Sequence, residues 1–219
     1  CVKYCDKAIE RLCDRNEHPA DTEAFYLKGI ALEYLGEYDK AYDILYKAAW
    51  NYPHRSAALF ELACIDCRNG KYTEALKKLD ESIGLNKGHT KAHNLKTAIL
   101  RKINRNDAEE SAKYGANDDK LDLFAIIEYS HFNDVKDKIA CFAVKPENLL
   151  DVARDYMKAG LYEDALYVLS FGADNSPLID YYKAYITKNN SFIKMAEERE
   201  TGYCFPSNAE DIAVLEYAI

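Results

Sequence analysis

The sequence predicts an all-α fold, a solenoid of antiparallel helix pairs stacked in series. Three observations carry that expectation. Residues 22–53 and 56–87 are two copies of one 34-residue pattern. Phe25, Gly29, Leu32, Gly36, Tyr38, Ala41, Leu45, Ala48 and Pro53 step by 34 to Leu59, Ala63, Asp66, Gly70, Tyr72, Ala75, Leu79, Ser82 and Lys87, and only Asp66 and Lys87 break character. Within each copy, two runs of helical periodicity meet at a Gly-x-Tyr turn. The pattern then returns in full register from Pro146 through Ala153, Tyr156, Gly160, Tyr162, Ala165, Leu169 and Gly172 to Pro177. A helix pair of this size cannot bury its apolar stripe alone, so copies must stack.

Taken in order, residues 1–21 read as a half-repeat with one helix over 4–14 (Tyr4, Ala8, Ile9, Leu12), broken at His18, Pro19 and Asp21. Repeat 1 (22–55) places helices at 22–35 and 39–51, with Gly36 in the turn and Pro53 expected to stop the second helix because it lacks an amide hydrogen. Repeat 2 (56–89) places them at 56–69 and 73–85, closed by Gly84 and Gly88. Repeat 3 (90–118) degrades: a helix at 91–103, apolar at Ala92, Leu95, Ala98, Ile99 and Leu100, precedes a short one at 107–114 that Gly115 is expected to end. Repeat 4 (119–145) is irregular, with Leu121, Leu123, Phe124, Ile126 and Ile127 in its first helix and Asn133 as cap of a helix reaching Phe142.

Repeat 5 (146–176) is complete, and repeat 6 (177–205) has Ala184 and Ala196 twelve apart with Lys188-Asn189-Asn190-Ser191 as its turn. A terminal helix fills 206–219, where Ser207 and Glu210 have the spacing of a capping box. Small residues twelve apart predict close helix contacts at Gly29/Ala41, Ala63/Ala75 and Ala153/Ala165. Unpaired helices at both ends predict open stripes at Ile9/Leu12 and Ile212/Leu215, and with them self-association through the ends. The 18 tyrosines fall mostly at helical spacing beside Ala or Gly, as knobs against small residues.

Composition narrows the function classes. Hydrophobic residues make up 48% of the 219, an ordinary globular share, and no stretch nears the roughly 18 apolar residues of a membrane span. The first turn carries Lys3, Asp6 and Lys7 where a signal peptide is apolar, and a start at Cys1 instead of Met points to an excised fragment. A net charge of −8 repels phosphate backbones and disfavours nucleic acid. Seven cysteines without framework spacing suggest a reducing compartment, the cytoplasm.

The 34-residue period, the small residues at close contacts and the Gly-x-Tyr turn resemble the tetratricopeptide repeat (TPR). A narrower likeness rests on Tyr46–Tyr52, Arg55–Ala58, Ile65–Arg68, His93–Lys96, Tyr203–Pro206 and Val214–Ala218, which look like the helical repeat tail of large bacterial proteins with an N-terminal domain of unknown function. The resemblance implies a right-handed superhelix whose first helices line a concave groove. Its groove positions are Glu23, Tyr26, Ile30, Glu33 and Tyr34; then Ala57, Phe60, Cys64, Cys67 and Arg68; then Lys91, Asn94, Ala98, Arg101 and Lys102.

The implied function is a non-catalytic scaffold for a protein or peptide, or for a neighbouring domain of the parent chain. Tyr26, Tyr34 and Phe60 would anchor the partner, with Asn94 on the same face, and Arg68, Lys91, Arg101 and Lys102 would favour an acidic one. Alternatives are a helical accessory region of a carbohydrate-processing enzyme whose catalytic domain is absent, and a peptide-responsive sensor. The family's two-carboxylate clamp needs Lys and Asn where this chain has Tyr26 and Ile30, so a chaperone C-terminus is not the expected ligand.

No motif for catalysis or for a cofactor stands out: there is no Gly-x-Ser-x-Gly, no phosphate-cradling glycine loop and no His-Glu-x-x-His. Cys64 and Cys67, with His89 and His93 nearby, have the donor types of a zinc site, but both thiols fall inside a helix and read better as small buried groups than as metal ligands. Trp50, followed by Tyr52, reads as core.

Overall fold

The structure is a computed structural model of the chain and describes residues 1–14, 16, 19–172, 176–201 and 206–219. His18 and the segment Tyr203, Cys204, Phe205, used above for a chain break and for the narrower likeness, lie outside the described residues. The described residues form α-helices and no strand. They fall into two compact units, Cys1–Ile99 and Leu100–Ile219.

The first unit contains α1 (Val2–Cys13), α2 (Glu23–Tyr34), α3 (Tyr38–Ala48), α4 (Tyr52–Arg68), α5 (Tyr72–Leu85) and most of α6 (Thr90–Lys102). Helices α2 and α3 pack as one pair, α4 and α5 as the next, and α3 packs on α4. Leu45, Leu62 and Leu79 are fully buried, as are Ala41, Ala63 and Ala75. Helix α3 approaches α2 so closely that a Cβ on Gly29 would lie 2.5 Å from the Leu45 side chain, one turn beyond Ala41.

The turns between paired helices share one geometry. The amide of Glu37 reaches back to the Leu32 carbonyl, and Lys71 to Asp66, around Gly36 and Gly70, each at φ 73°. That six-residue closure needs a left-handed residue in its fifth place, a conformation glycine adopts without penalty. One period later the same closure joins Arg105 to Leu100 around Asn104 at φ 55°. Repeat 3 therefore keeps its turn with the side chain that best tolerates that conformation.

Asp66, which breaks the apolar ladder, is buried, and its carboxylate accepts from Lys78 at 2.6 Å and from Tyr42 at 3.4 Å. A buried charge is sustained only when so paired.

The second unit contains the last residues of α6, then α7 (Ala108–Asp118), α8 (Leu123–Ser130), α9 (Lys136–Ala143), α10 (Pro146–Lys158), α11 (Tyr162–Ser170), α12 (Pro177–Thr187), α13 (Ser191–Glu197) and α14 (Ala209–Ala218). Its core includes Ile127, Ile139, Leu149, Leu150, Ala153, Tyr156, Ala165, Leu169, Ile179 and Tyr182. The turn at Gly160 (φ 76°) repeats the closure, with Leu161 reaching the Tyr156 carbonyl.

Several boundary expectations are corrected. Pro53 does not end the preceding helix; it sits in the first turn of α4, where a missing amide costs nothing because that amide has no helical partner. Helix α7 runs through Gly115 to Asp118, held by the buried stripe Ala108, Ala112 and Ala116, which outweighs the propensity cost of one glycine. Leu121 is outside α8 and 77% exposed; Asp122 is the cap, its carboxylate accepting from the Ala125 amide at 3.1 Å. Asn133 is not the cap of α9, which starts after Val135. The capping box of α14 is Asn208 with Asp211, one residue later than Ser207 with Glu210.

Candidate functional site

Tyr26, Phe60 and Asn94 are related by 34 residues on α2, α4 and α6, as are Tyr34, Arg68 and Lys102. In the first unit, Tyr26 is half-buried and stacks on His54 with ring centroids 5.9 Å apart and planes 20° from parallel. Phe60 is buried against His89, centroids 4.9 Å apart. Tyr34 is 56% exposed. The Arg68 guanidinium lies 4.5 Å from the Tyr38 ring centroid, a cation–π contact that aims a planar donor fork from a rigid helix. Lys91 is exposed and Asn94 buried.

His89 belongs to a hydroxyl cluster. Ser56 Oγ donates to the Ser82 carbonyl at 3.0 Å, and Ser82 Oγ donates to the Ser56 carbonyl at 2.8 Å. His89 Nδ1 lies 3.1 Å from Ser82 Oγ and 3.5 Å from Ser56 Oγ. The cluster ties α4 to α5 and to the residue that precedes α6. Burial, followed by the charges of His93 and Lys91, holds the His89 pKa below its ordinary value.

The cations of α6 fare differently. Arg101 Nε and Nη2 grip Glu128 at 2.8 and 2.9 Å, and Nη2 also reaches Asp164 at 2.7 Å. Glu128 is fully buried and accepts a further hydrogen bond from Tyr156. Burial works against the Arg101 charge, yet Glu128 and Asp164 outweigh it and raise the pKa. Burial, then Glu128, raises the Tyr156 hydroxyl well above the phenol range. Arg101 therefore serves the interior of the second unit and not an incoming carboxylate. Lys102 reaches the exposed Glu163 at 3.1 Å.

A second buried network joins α10, α12 and α14. Arg154 Nε donates to Tyr182 Oη at 2.8 Å and Nη2 to Asp211 Oδ1 at 2.9 Å, while Tyr182 also donates to Asp211. Asp211 Oδ2 accepts the amides of Ser207 and Asn208, so one carboxylate both caps α14 and binds it to α10 and α12. The signal in the sequence is a charge set after an apolar pair in a helical run: Glu128 stands alone after Ile126-Ile127, whereas Arg154, after Val152-Ala153, is accompanied by Asp151 and Asp155.

Cys64 and Cys67 are buried within α4, while His93 Nε2 is engaged with the Lys87 carbonyl at 3.1 Å. Among the described residues, no group of three or more His, Cys, Asp or Glu is placed to hold a metal ion, and no helix is long and apolar enough to cross a membrane. Trp50 is 53% exposed, which corrects its reading as core: it sits at the corner between α3 and α4, next to Tyr52, itself 72% exposed. Ile9 is partly buried against the first unit's core, whereas Ile212 on α14 is 60% exposed.

No family model matches the chain, and no curated protein matches it. Among solved structures, the chain is similar to the crystal structure of YrrB, described as a TPR protein with an unusual peptide-binding site. The TM-score is 0.51 at 14% identity, over 91% of this chain and 100% of that one. A likeness at that identity speaks for the fold. The helix pairs, the turn closure and this likeness agree: the chain has the all-helical fold of TPR proteins.

Proposed function

We propose that the chain is a non-catalytic scaffold that holds a protein or peptide segment, or a neighbouring domain of a longer parent chain, on helix faces carrying Tyr26, Tyr34, Phe60, Arg68, Lys91 and Asn94. The observation that carries this is the exposure of Tyr34 on α2, with Arg68 set over Tyr38 at the same repeat position of the next pair. An exposed aromatic and a rigidly held guanidinium at equivalent repeat positions are residue types found in binding hot spots. The peptide-binding site described for YrrB supports the same class of role. Arg68 and Lys91 favour an acidic segment; Arg101 and Lys102 are left out, being engaged within the second unit by Glu128 and Asp164 and by Glu163. A reducing, cytoplasmic setting belongs to the same reading, supported by the buried free thiols Cys5, Cys64 and Cys67. Self-association is retained only at α14, through Ile212, and sedimentation of Ile212→Glu at rising concentration tests it.

The test of the scaffold is a peptide array probed with the full chain, followed by anisotropy titration of the selected peptides. Acidic sequences are expected to dominate, with binding weakened by salt, by Tyr34→Ala and by Lys91→Glu. Selected peptides that bind equally well to both variants would overturn the assignment.

A further inference from the structure

The turn after α12 holds Lys188 in the left-handed region, at φ 55° and ψ 30°. At the comparable turns that conformation belongs to Gly36, Gly70, Gly160 and Asn104. A lysine there carries backbone strain that other contacts must offset. Its ammonium is found 4.0 Å from the Tyr185 ring centroid and 4.3 Å from that of Tyr217. The two rings meet edge to face, 87° apart with centroids separated by 5.9 Å, and form two walls of a corner. Tyr185 comes from α12 and Tyr217 from α14, where its hydroxyl lies 3.2 Å from Asn190 Oδ1. Both tyrosines are half-buried, and Lys188 itself is exposed. Among the described residues, ring faces hold this cation.

We propose that the Tyr185–Tyr217 corner is a recognition site for a methylated ammonium group, with Lys188 as its internal stand-in. Aromatic faces attract any cation, and perpendicular walls around an ammonium are the arrangement by which quaternary ammonium groups are recognised. A primary ammonium is strongly hydrated and returns to water at little cost. A trimethylated one is weakly hydrated and gains more from the same ring faces. Because Lys188 is exposed and its walls are anchored in two helices, the occupant exchanges without disturbing the packing beneath. The same chemistry is offered by a trimethyl-lysine side chain and by a free choline-type molecule. The inference is independent of the peptide-binding reading above.

The test is an NMR titration of the full chain with tetramethylammonium, following the ring protons of Tyr185 and Tyr217. Lys188→Gly suits the left-handed backbone and removes the competing occupant. It is expected to tighten binding about five-fold or more, since affinity scales with the fraction of open sites. Tyr217→Ala is expected to abolish binding, and Tyr217→Phe, which keeps the ring face, to retain it. Parallel titrations with a trimethyl-lysine peptide and with choline identify the source: tighter binding of the peptide points to a protein-borne group, and tighter binding of choline to a free one. Ring protons that do not respond in Lys188→Gly overturn the proposal, and so does binding that survives Tyr217→Ala.

Discussion

The Thr22 hydroxyl donates to the backbone carbonyl of Ala48 at 3.1 Å, and one period later Ser56 makes the same bond to Ser82 at 3.0 Å. In both repeats a hydroxyl near the start of one helix, Thr22 just before α2 and Ser56 in the second turn of α4, donates to a carbonyl in the last turn of the partner helix. The bond closes each helix pair at the end opposite its glycine turn. Thr22→Val keeps the shape and removes the donor in a buried setting. A loss of about 1–3 kcal/mol is expected in urea unfolding, and an unchanged midpoint would show that water or a rearranged neighbour replaces the bond.

Two glycines should respond in opposite directions. A Cβ on Gly29 would strike Leu45 at 2.5 Å, whereas one on Gly84 meets nothing within 4 Å. Gly29→Ala is expected to cost about 1–3 kcal/mol by overpacking, and Gly84→Ala to add up to about 1 kcal/mol by relieving a helix of backbone entropy loss. Thermal melts of the two variants side by side check both signs.

Arg101→Met should be among the most damaging single changes. It strands Glu128, fully buried, and Asp164, nearly so, without their cation. Breaking one side of a buried pair typically costs about 3–5 kcal/mol. Lys102→Met, whose partner Glu163 is exposed, should fall within about 1 kcal/mol of the parent. Equal and small losses for both would mean that Arg101 is a surface cation after all.

Acid should weaken the second unit through Asp211. Burial raises its pKa, but hydrogen bonds from Tyr182, from the Asn208 and Ser207 amides and from Arg154 prevail and lower it overall. The folded value lies below the unfolded one of about 3.9, so its stabilisation is complete above that pH and disappears as pH falls through the folded value. His89 acts in an earlier window. Burial depresses its pKa below the unfolded value of about 6.5, so its contribution is present above that pH and is lost as pH falls beneath it. Urea unfolding at a series of pH values should show two declines, the first flattened by His89→Gln and the second by Asp211→Asn.

Much of the helix architecture was legible because a stacked helix pair writes its period into small and apolar positions. Gly36, Gly70 and Gly160 marked their turns by composition alone, since only a left-handed residue closes them. Asn104 holds the same place at the same spacing but carries no such mark, because asparagine is also an ordinary surface residue. Tyr26, Tyr34 and Phe60 were readable as one helix face, yet Phe60 is buried and Tyr34 exposed, a difference set by neighbouring chains of atoms and not by periodicity.

The repeat period, the helix pairing and the turn chemistry were determined by the sequence itself, because each depends on residues within one pair and its immediate copy. Which charges face a partner was decided only by tertiary structure. Arg101 meets Glu128 and Asp164, 27 and 63 residues away, and Arg154 meets Asp211 across 57. Lys188 is held by rings from two different helices. A charged side chain at a repeat position carries no mark of whether its counter-charge lies within the fold or beyond it, and only the packing of distant helices settles that question.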